Sequence, residues 1–148
     1  MDFIFATYNE GKLKEARAIF TKSKISALPE IGFNKTIVED GESFADNAII
    51  KARAVRDWLA SQGRVTCPVF SDDSGLEIDA LGKLPGVNTK QYLGEDVPYE
   101  IRCRKIVEQM KNVPENKRTA RFVCVIACIW PDSNLQTAEG IVEGPIAP

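Results

Sequence analysis

The most informative absence in this chain of 148 residues is histidine, which does not occur at all. Without histidine, a Ser-His-Asp or Cys-His catalytic arrangement is excluded, and so is a zinc site with histidine ligands. Acid–base or metal chemistry must therefore rest on carboxylates, lysines, hydroxyl groups and backbone groups. Carboxylate oxygens favour hard ions such as Mg²⁺ or Mn²⁺.

Long apolar runs are also missing from the sequence. No stretch approaches the roughly 20 apolar residues that a membrane-spanning helix needs, and no basic leader precedes the short apolar run at the N-terminus. We therefore expect neither a membrane partner nor a signal peptide. The cysteines form no CxxC pair, and we expect them to be reduced in a cytoplasmic protein. They are Cys67, Cys103, Cys124 and Cys128.

The charge of the chain is nearly balanced, with 19 basic and 21 acidic side chains and a formal net charge of -2. This balance does not suggest a nucleic acid partner held by bulk charge, so any phosphate binding must come from a local site. Hydrophobic residues make up 44% of the chain and charged residues 27%, which is ordinary for a globular protein. We expect residues 1–148 to form a single domain.

The order of apolar patterns predicts an α/β fold with a mixed β-sheet flanked by helices. The clearest helix spans Phe44 to Ser61, with Ser43 as its N-cap. The apolar, β-branched run from Thr119 to Trp130 is predicted as a central strand, and Gln136 to Val142 as its hairpin partner. The other predicted elements are strands at 3–7, 25–28, 68–72 and 76–81, and helices at 12–22 and 97–110.

The turn after the first predicted strand, Thr7-Tyr8-Asn9-Glu10-Gly11-Lys12, is a candidate phosphate site. It leads into a helix N-terminus, where backbone N–H groups and the helix dipole favour an anion. Thr7 and Asn9 add side-chain donors, and Lys12 adds a positive charge. The spaced glycines of a Walker A loop are missing, so an ordinary capped turn remains the alternative.

Two adjacent carboxylates, Asp72 and Asp73, are predicted to close a strand just before Ser74 and Gly75. In open α/β sheets, ligands gather at the carboxyl ends of strands. Neighbouring aspartates repel each other, and a divalent cation would relieve that repulsion. A solvated turn, which Asp, Ser and Gly also favour, is the alternative.

A third group of polar residues lies around the start of the long helix. Asn47 and Lys51 are four residues apart, so they share one helix face at the edge of the apolar stripe. Glu39 lies just before the helix, where a carboxylate can reach a metal ion. A solvated lysine and an ordinary loop glutamate are the alternative interpretation.

Together these segments resemble the inosine/xanthosine triphosphate pyrophosphatase family, also called the Ham1-like family. The resemblance rests on ATYNEGKLKEA, VEDGESFADNAIIKA, SDDSGLEIDALGKLPGV and ARFVCVIA, in the family's order and at about its spacing. It implies hydrolysis of non-standard purine nucleoside triphosphates (ITP, dITP and XTP) to the monophosphate and pyrophosphate. It also implies a magnesium cofactor, with Mn²⁺ as an alternative ion, a homodimer, and a nucleotide cleft between two lobes.

The resemblance assigns roles to individual residues by their position. It implies that Asp73 is the general base and that Glu39, Asp73 and Asp72 bind the metal ion. The residues that it implies for substrate binding are Thr7, Asn9, Lys12, Lys51 and Ser74.

Two features depart from the family pattern. Tyr8 stands where the family usually has glycine, and a side chain there could crowd the phosphates or require a relaxed turn. The family continues past Pro148 with segments that clamp the base, so we expect the C-terminal part of the family fold to be missing. The alternatives to an active enzyme are a catalytically weak nucleotide-binding remnant and a structural fragment that pairs through a sheet edge.

Overall fold

The computed structural model describes residues 1–94 and 96–147. This part of the chain divides into two compact units. The first unit contains residues 1–73 and 125–138, and the second contains residues 74–124 and those from 139 onward. Across the described residues, no helix combines the length and the apolar character that crossing a membrane requires.

The predicted α/β fold with a mixed sheet is confirmed. The strands are β1 (Phe3–Phe5), β2 (Ile25–Ser26), β3 (Val69–Ile78), β4 (Leu84–Pro85), β5 (Thr119–Ile129) and β6 (Leu135–Pro145). The α-helices are α1 (Glu10–Ile19), α2 (Leu28–Ile31), α3 (Phe44–Ser61) and α4 (Tyr99–Gln109). The order in the sheet is β2-β1-β3-β5-β6, with β4 paired to β3. β1 is parallel to β2 and β3, whereas β4 is antiparallel to β3.

In the first unit, α1 and α3 cover opposite faces of the sheet. The register pairs Ile4 with Val69 and Phe5 with Phe70. Because side chains alternate along a strand, Ile4 and Val69 share one face, where they pack with residues of α3. Phe5 and Phe70 lie on the other face with Ala16 of α1, and their rings stack at 4.3 Å between centroids.

The long helix α3 has the bounds that the sequence predicts. Ser43 caps its start, since its Oγ accepts a hydrogen bond from the Asp46 backbone N–H at 3.1 Å. The stripe predicted to face the core is buried, and it comprises Phe44, Ala48, Ala52, Val55 and Leu59. Gly63, just beyond the C-cap, has a φ of 64°, which suits glycine at a helix end.

The second unit has its own apolar cluster. Helix α4 contributes Ile106, and Met110 follows as its C-cap. Both pack with Ile78 of β3 and Ala120 of β5. The second unit therefore has an independent core, separate from those of the first.

Two sequence predictions are wrong in their details. The strands expected at 68–72 and 76–81 are one continuous strand, β3, which carries Ser71 to Gly75 as pleated backbone rather than a turn. The other error concerns the strand predicted at 25–28, which ends at Ser26 and is followed by α2. Pro29 lies in the first turn of α2, a position where proline costs no hydrogen bond.

Candidate active site

The site is built where β1 ends and its parallel neighbour β3 continues. The last β1 pair joins Phe5 to Phe70, and β3 runs on to Ile78. Ser71, Asp72 and Asp73 therefore lie past the end of β1. All three are buried, and the turn that leads from β1 into α1 lies at the same edge of the sheet.

Asp72 is paired with Lys12, which lies in the first turn of α1. Lys12 Nζ lies 2.5 Å from Asp72 Oδ2, and Asp72 is only 7% exposed. The other oxygen, Asp72 Oδ1, is buried and has no hydrogen-bond partner among the residues that the structure describes. A buried oxygen without a donor is costly, so Asp72 has capacity to accept from a ligand.

Two side chains of helix α3 contact the Asp73 carboxylate. Asn47 Nδ2 donates to Asp73 Oδ2 at 3.2 Å, and Lys51 Nζ lies 3.8 Å from Asp73 Oδ1. The same ammonium group lies 2.8 Å from Glu39 Oε1. Lys51 is 8% exposed, so the alternative of a solvated lysine is wrong. The prediction that Asn47 and Lys51 share a face at the core edge is confirmed, because both reach Asp73.

The two aspartates do not face each other. Successive residues of a strand point to opposite faces, so Asp72 meets α1 and Asp73 meets α3. Each carboxylate is close to its own lysine. The two lysines therefore offset the repulsion between the neighbouring carboxylates that the sequence offered as the reason for a cation. Ser71 between Phe70 and Asp72 donates its hydroxyl to the carbonyl oxygen of Ala48, which fixes β3 on α3.

Two polar side chains of the β1–α1 turn accept hydrogen bonds from backbone N–H groups of the same segment, and the Thr7 hydroxyl and the Asn9 amide keep their own capacity to donate. Thr7 Oγ1 accepts from the Asn9 N–H at 3.1 Å, and Asn9 Oδ1 accepts from the Lys12 N–H at 3.0 Å. Asn9 is thereby the N-cap of α1. Tyr8 directs its hydroxyl to the backbone of residues 33–35.

The first unit therefore contains seven of the eight residues that the resemblance implies for the site. Ser74, the eighth, follows Asp73 in β3, is half-buried and begins the second unit. Three of the eight residues are carboxylates (Glu39, Asp72 and Asp73) and two are lysines (Lys12 and Lys51). When all five are ionised, they carry one net negative charge. No group of three or more metal-ligating side chains occurs within residues 1–94 and 96–147.

Gly41 is a residue that sequence reasoning missed. Its backbone N–H donates to Asn47 Oδ1 at 2.8 Å, so Asn47 connects the loop before α3 to Asp73. A Cβ at Gly41 would lie 2.6 Å from Asp46 Cβ and 2.7 Å from Asn47 Oδ1. The only sequence signal was a glycine two residues before the helix cap.

We expect Gly41→Ala to destabilise the protein by roughly 1–3 kcal/mol, because the added methyl group forces the backbone away from Asn47. Urea denaturation monitored by circular dichroism measures the change. Gly140→Ala is the matched control, since a Cβ there meets nothing within 4 Å. Equal stability of the two variants would show that the close approach at Gly41 does not matter.

Comparison with known proteins identifies the family of the chain. Residues 3–148 match the model of the Ham1 family. The dITP/XTP pyrophosphatase of Bacillus subtilis is 41% identical over 146 residues, which are 97% of this chain and 71% of that relative. The dITP/XTP pyrophosphatase of Geobacillus kaustophilus is 36% identical over 148 residues, 99% of this chain and 70% of the relative.

Solved structures give the same result. The Ham1 protein of Staphylococcus aureus is 31% identical and superposes with a TM-score of 0.83, covering 98% of this chain and 71% of that one. A HAM1 protein from Coxiella burnetii also has a TM-score of 0.83, at 30% identity, and the match covers 98% of this chain and 72% of that one. By its sequence along nearly all its length and by its fold, the chain belongs to the Ham1 family.

Proposed function

We propose that this chain hydrolyses non-standard purine nucleoside triphosphates, namely dITP, ITP and XTP, to the monophosphate and pyrophosphate. The names of its relatives support this assignment. The observation that carries it is the placement of two lysines on two consecutive carboxylates of β3: Lys12 beside Asp72, and Lys51 beside Asp73. Such an activity removes abnormal nucleotides from the pool.

The lysines are the groups that bind the triphosphate. Lys12 and Lys51 present ammonium groups from α1 and α3, and each is close to a carboxylate in this structure. Phosphate oxygens compete for these ammonium groups when a nucleotide binds. Thr7 and Asn9, which lie just before Lys12 in the chain, are proposed to bind phosphate as well. Positive charge fixed in this way stabilises the charge that develops as pyrophosphate leaves.

Asp73 is the general base of the proposed reaction. A water attacks phosphorus, the bond to the pyrophosphate oxygen breaks, and Asp73 accepts the proton of the water. Asn47 holds Asp73 Oδ2, and Lys51 lies near Oδ1. The carboxylate is therefore oriented, which general-base catalysis requires. Ser74, next in the strand, is proposed to contact the substrate.

A divalent cation fits the residues of this site. Five ionised side chains with one net negative charge would repel a triphosphate unless a cation accompanies it. Mg²⁺ is commonly held by one or two carboxylates together with substrate phosphates, so a larger protein cage is not needed. Glu39 and Asp73, which both lie beside Lys51, would hold it. Asp72 points to the other face of β3, so we propose that it supports the site only through its unpartnered Oδ1. The ion would neutralise phosphate charge and lower the pKa of water.

We expect pyrophosphate release from ITP or XTP in the presence of Mg²⁺, and loss of that release when EDTA is added. Re-addition of Mg²⁺ or Mn²⁺ in excess over EDTA should restore it. A coupled pyrophosphate assay and an orthophosphate assay, run in parallel, make the measurement. Turnover that persists in EDTA would contradict the role of the metal. Orthophosphate without pyrophosphate would contradict the bond assignment, and no product at all would favour the nucleotide-binding remnant.

The resemblance to the family further supports a cytoplasmic homodimer, which we propose as the state of the active protein. Analytical ultracentrifugation of the chain measures its mass directly. A species of twice 16.4 kDa is expected, and a monomer at all concentrations would contradict the proposal.

A further inference from the structure

Tyr8 joins the β1–α1 turn to a distant loop. Its hydroxyl donates to the carbonyl oxygen of Lys35 at 2.8 Å, and the carbonyl oxygen of Phe33 lies 3.4 Å away. A tyrosine hydroxyl ordinarily keeps its proton at neutral pH and so remains a donor. Partial burial raises the pKa of the Tyr8 phenol further in the same direction. Tyr8 is 25 residues before Phe33 and 27 before Lys35 in the sequence, so one side chain links the candidate phosphate turn to a distant loop.

The loop that Tyr8 reaches carries Glu39. Residues 33–41 contain neither helix nor strand, so no regular ladder of hydrogen bonds fixes them. The loop is anchored at its start by Phe33, which is buried and meets Trp58 edge-on at 5.2 Å between ring centroids. It is anchored at its end by the Gly41 N–H on Asn47 Oδ1. The bond from Tyr8 to Lys35 falls between these two anchors.

We propose that Tyr8 is a positioning residue, which fixes residues 33–40 and thereby holds the Glu39 carboxylate beside Lys51. The inference rests on the proposed function for its effect on turnover, but the fixing of the loop is independent of it. One side chain ties the turn that binds phosphate to the loop that supplies a carboxylate. A glycine at this position would leave the two segments without that link.

The fixing of the loop is tested without any substrate. Tyr8→Phe removes the hydroxyl and keeps the ring. Because Gly41 donates to Asn47, its amide hydrogen exchange reports on the distal anchor. We expect exchange at Gly41 to become roughly two- to tenfold faster in Tyr8→Phe, as the loss of one hydrogen bond implies. Backbone order parameters of residues 34–40 should fall, while those of α3 stay the same.

Tyr92→Phe is the matched control, because the Tyr92 hydroxyl also donates one hydrogen bond, to Gln109 Oε1 at 3.0 Å. That variant should leave Gly41 exchange and the order parameters of residues 34–40 unchanged. Unchanged exchange and order in Tyr8→Phe would overturn the proposal. Thermal melting of both variants shows whether either effect is only a loss of global stability.

The action through Glu39 is tested by a double-mutant cycle. We expect Tyr8→Phe to lower kcat/KM for ITP by roughly two- to tenfold in the wild-type background. In the Glu39→Gln background it should lower kcat/KM by less than about twofold, because the two changes then affect one interaction. An equal factor in both backgrounds would overturn the role assigned to Tyr8. If the wild-type chain shows no turnover, the proposed function fails, and the exchange measurement alone decides whether Tyr8 holds the loop.

Discussion

Asp73→Asn is expected to lower kcat by about 100-fold or more, since loss of a general base typically costs that factor. The substitution keeps the shape of the side chain. Asn47 Nδ2 can still donate to an oxygen at position 73, and Lys51 keeps its pair with Glu39 at 2.8 Å. The fold should therefore survive, and circular dichroism should be unchanged. Steady-state pyrophosphate release from ITP with Mg²⁺ measures the effect.

Asp57→Asn is the matched control for this experiment. Asp57 lies on α3 like the partners of Asp73, but its side chain is 73% exposed. The change of charge is the same, and we expect wild-type rates. Wild-type turnover in Asp73→Asn would refute its assignment as the base, and a collapsed spectrum would make Asp73 a structural residue.

Lys51→Met is expected to weaken binding of a nucleoside triphosphate by roughly 10- to 100-fold, because a charged hydrogen bond to phosphate is lost. Binding of the nucleoside alone should stay the same, since it carries no phosphate. Some loss of stability is also expected, because the buried Asp73 and the Glu39 side chain, which is 33% exposed, lose their shared cation. Isothermal titration with ITP and with inosine, beside thermal melts, separates the two effects.

Lys14→Met changes the net charge equally and serves as the control, because Lys14 is exposed on α1. It should bind ITP as the wild type does. If Lys51→Met and Lys14→Met bind ITP with equal affinity, Lys51 has only a structural role. If Lys51→Met weakens inosine binding as much as ITP binding, the defect is a general one and not the loss of a phosphate contact.

The sequence predicts α3 well because three local signals agree there. Ser43 caps the start, the apolar residues recur with helical spacing, and Gly63 follows the end. The grouping of Glu39, Lys51 and Asp73 also followed from sequence, through the resemblance and the shared helix face of Asn47 and Lys51. The structure adds the distances that relate them.

The course of β3 could not be predicted from local signals. Asp72 to Gly75 has the composition of a turn, but it continues β3 beyond the end of β1. The place of β3 beside β5 and the nearby lysines favour an extended segment. The contacts of Tyr8 and Gly41 could not be predicted from sequence for a similar reason. The hydrogen bond from Tyr8 to Lys35 and the close approach of Gly41 to Asn47 depend on segments that come together only in the folded chain.

The most direct test of the proposed function is hydrolysis of XTP by this chain in ¹⁸O-labelled water with Mg²⁺, followed by ³¹P NMR. The account predicts two products, the monophosphate and pyrophosphate, with the label in the monophosphate. That outcome requires water to attack the phosphorus nearest the nucleoside while pyrophosphate leaves. Formation of the diphosphate and labelled orthophosphate would contradict it, and so would label found only in pyrophosphate.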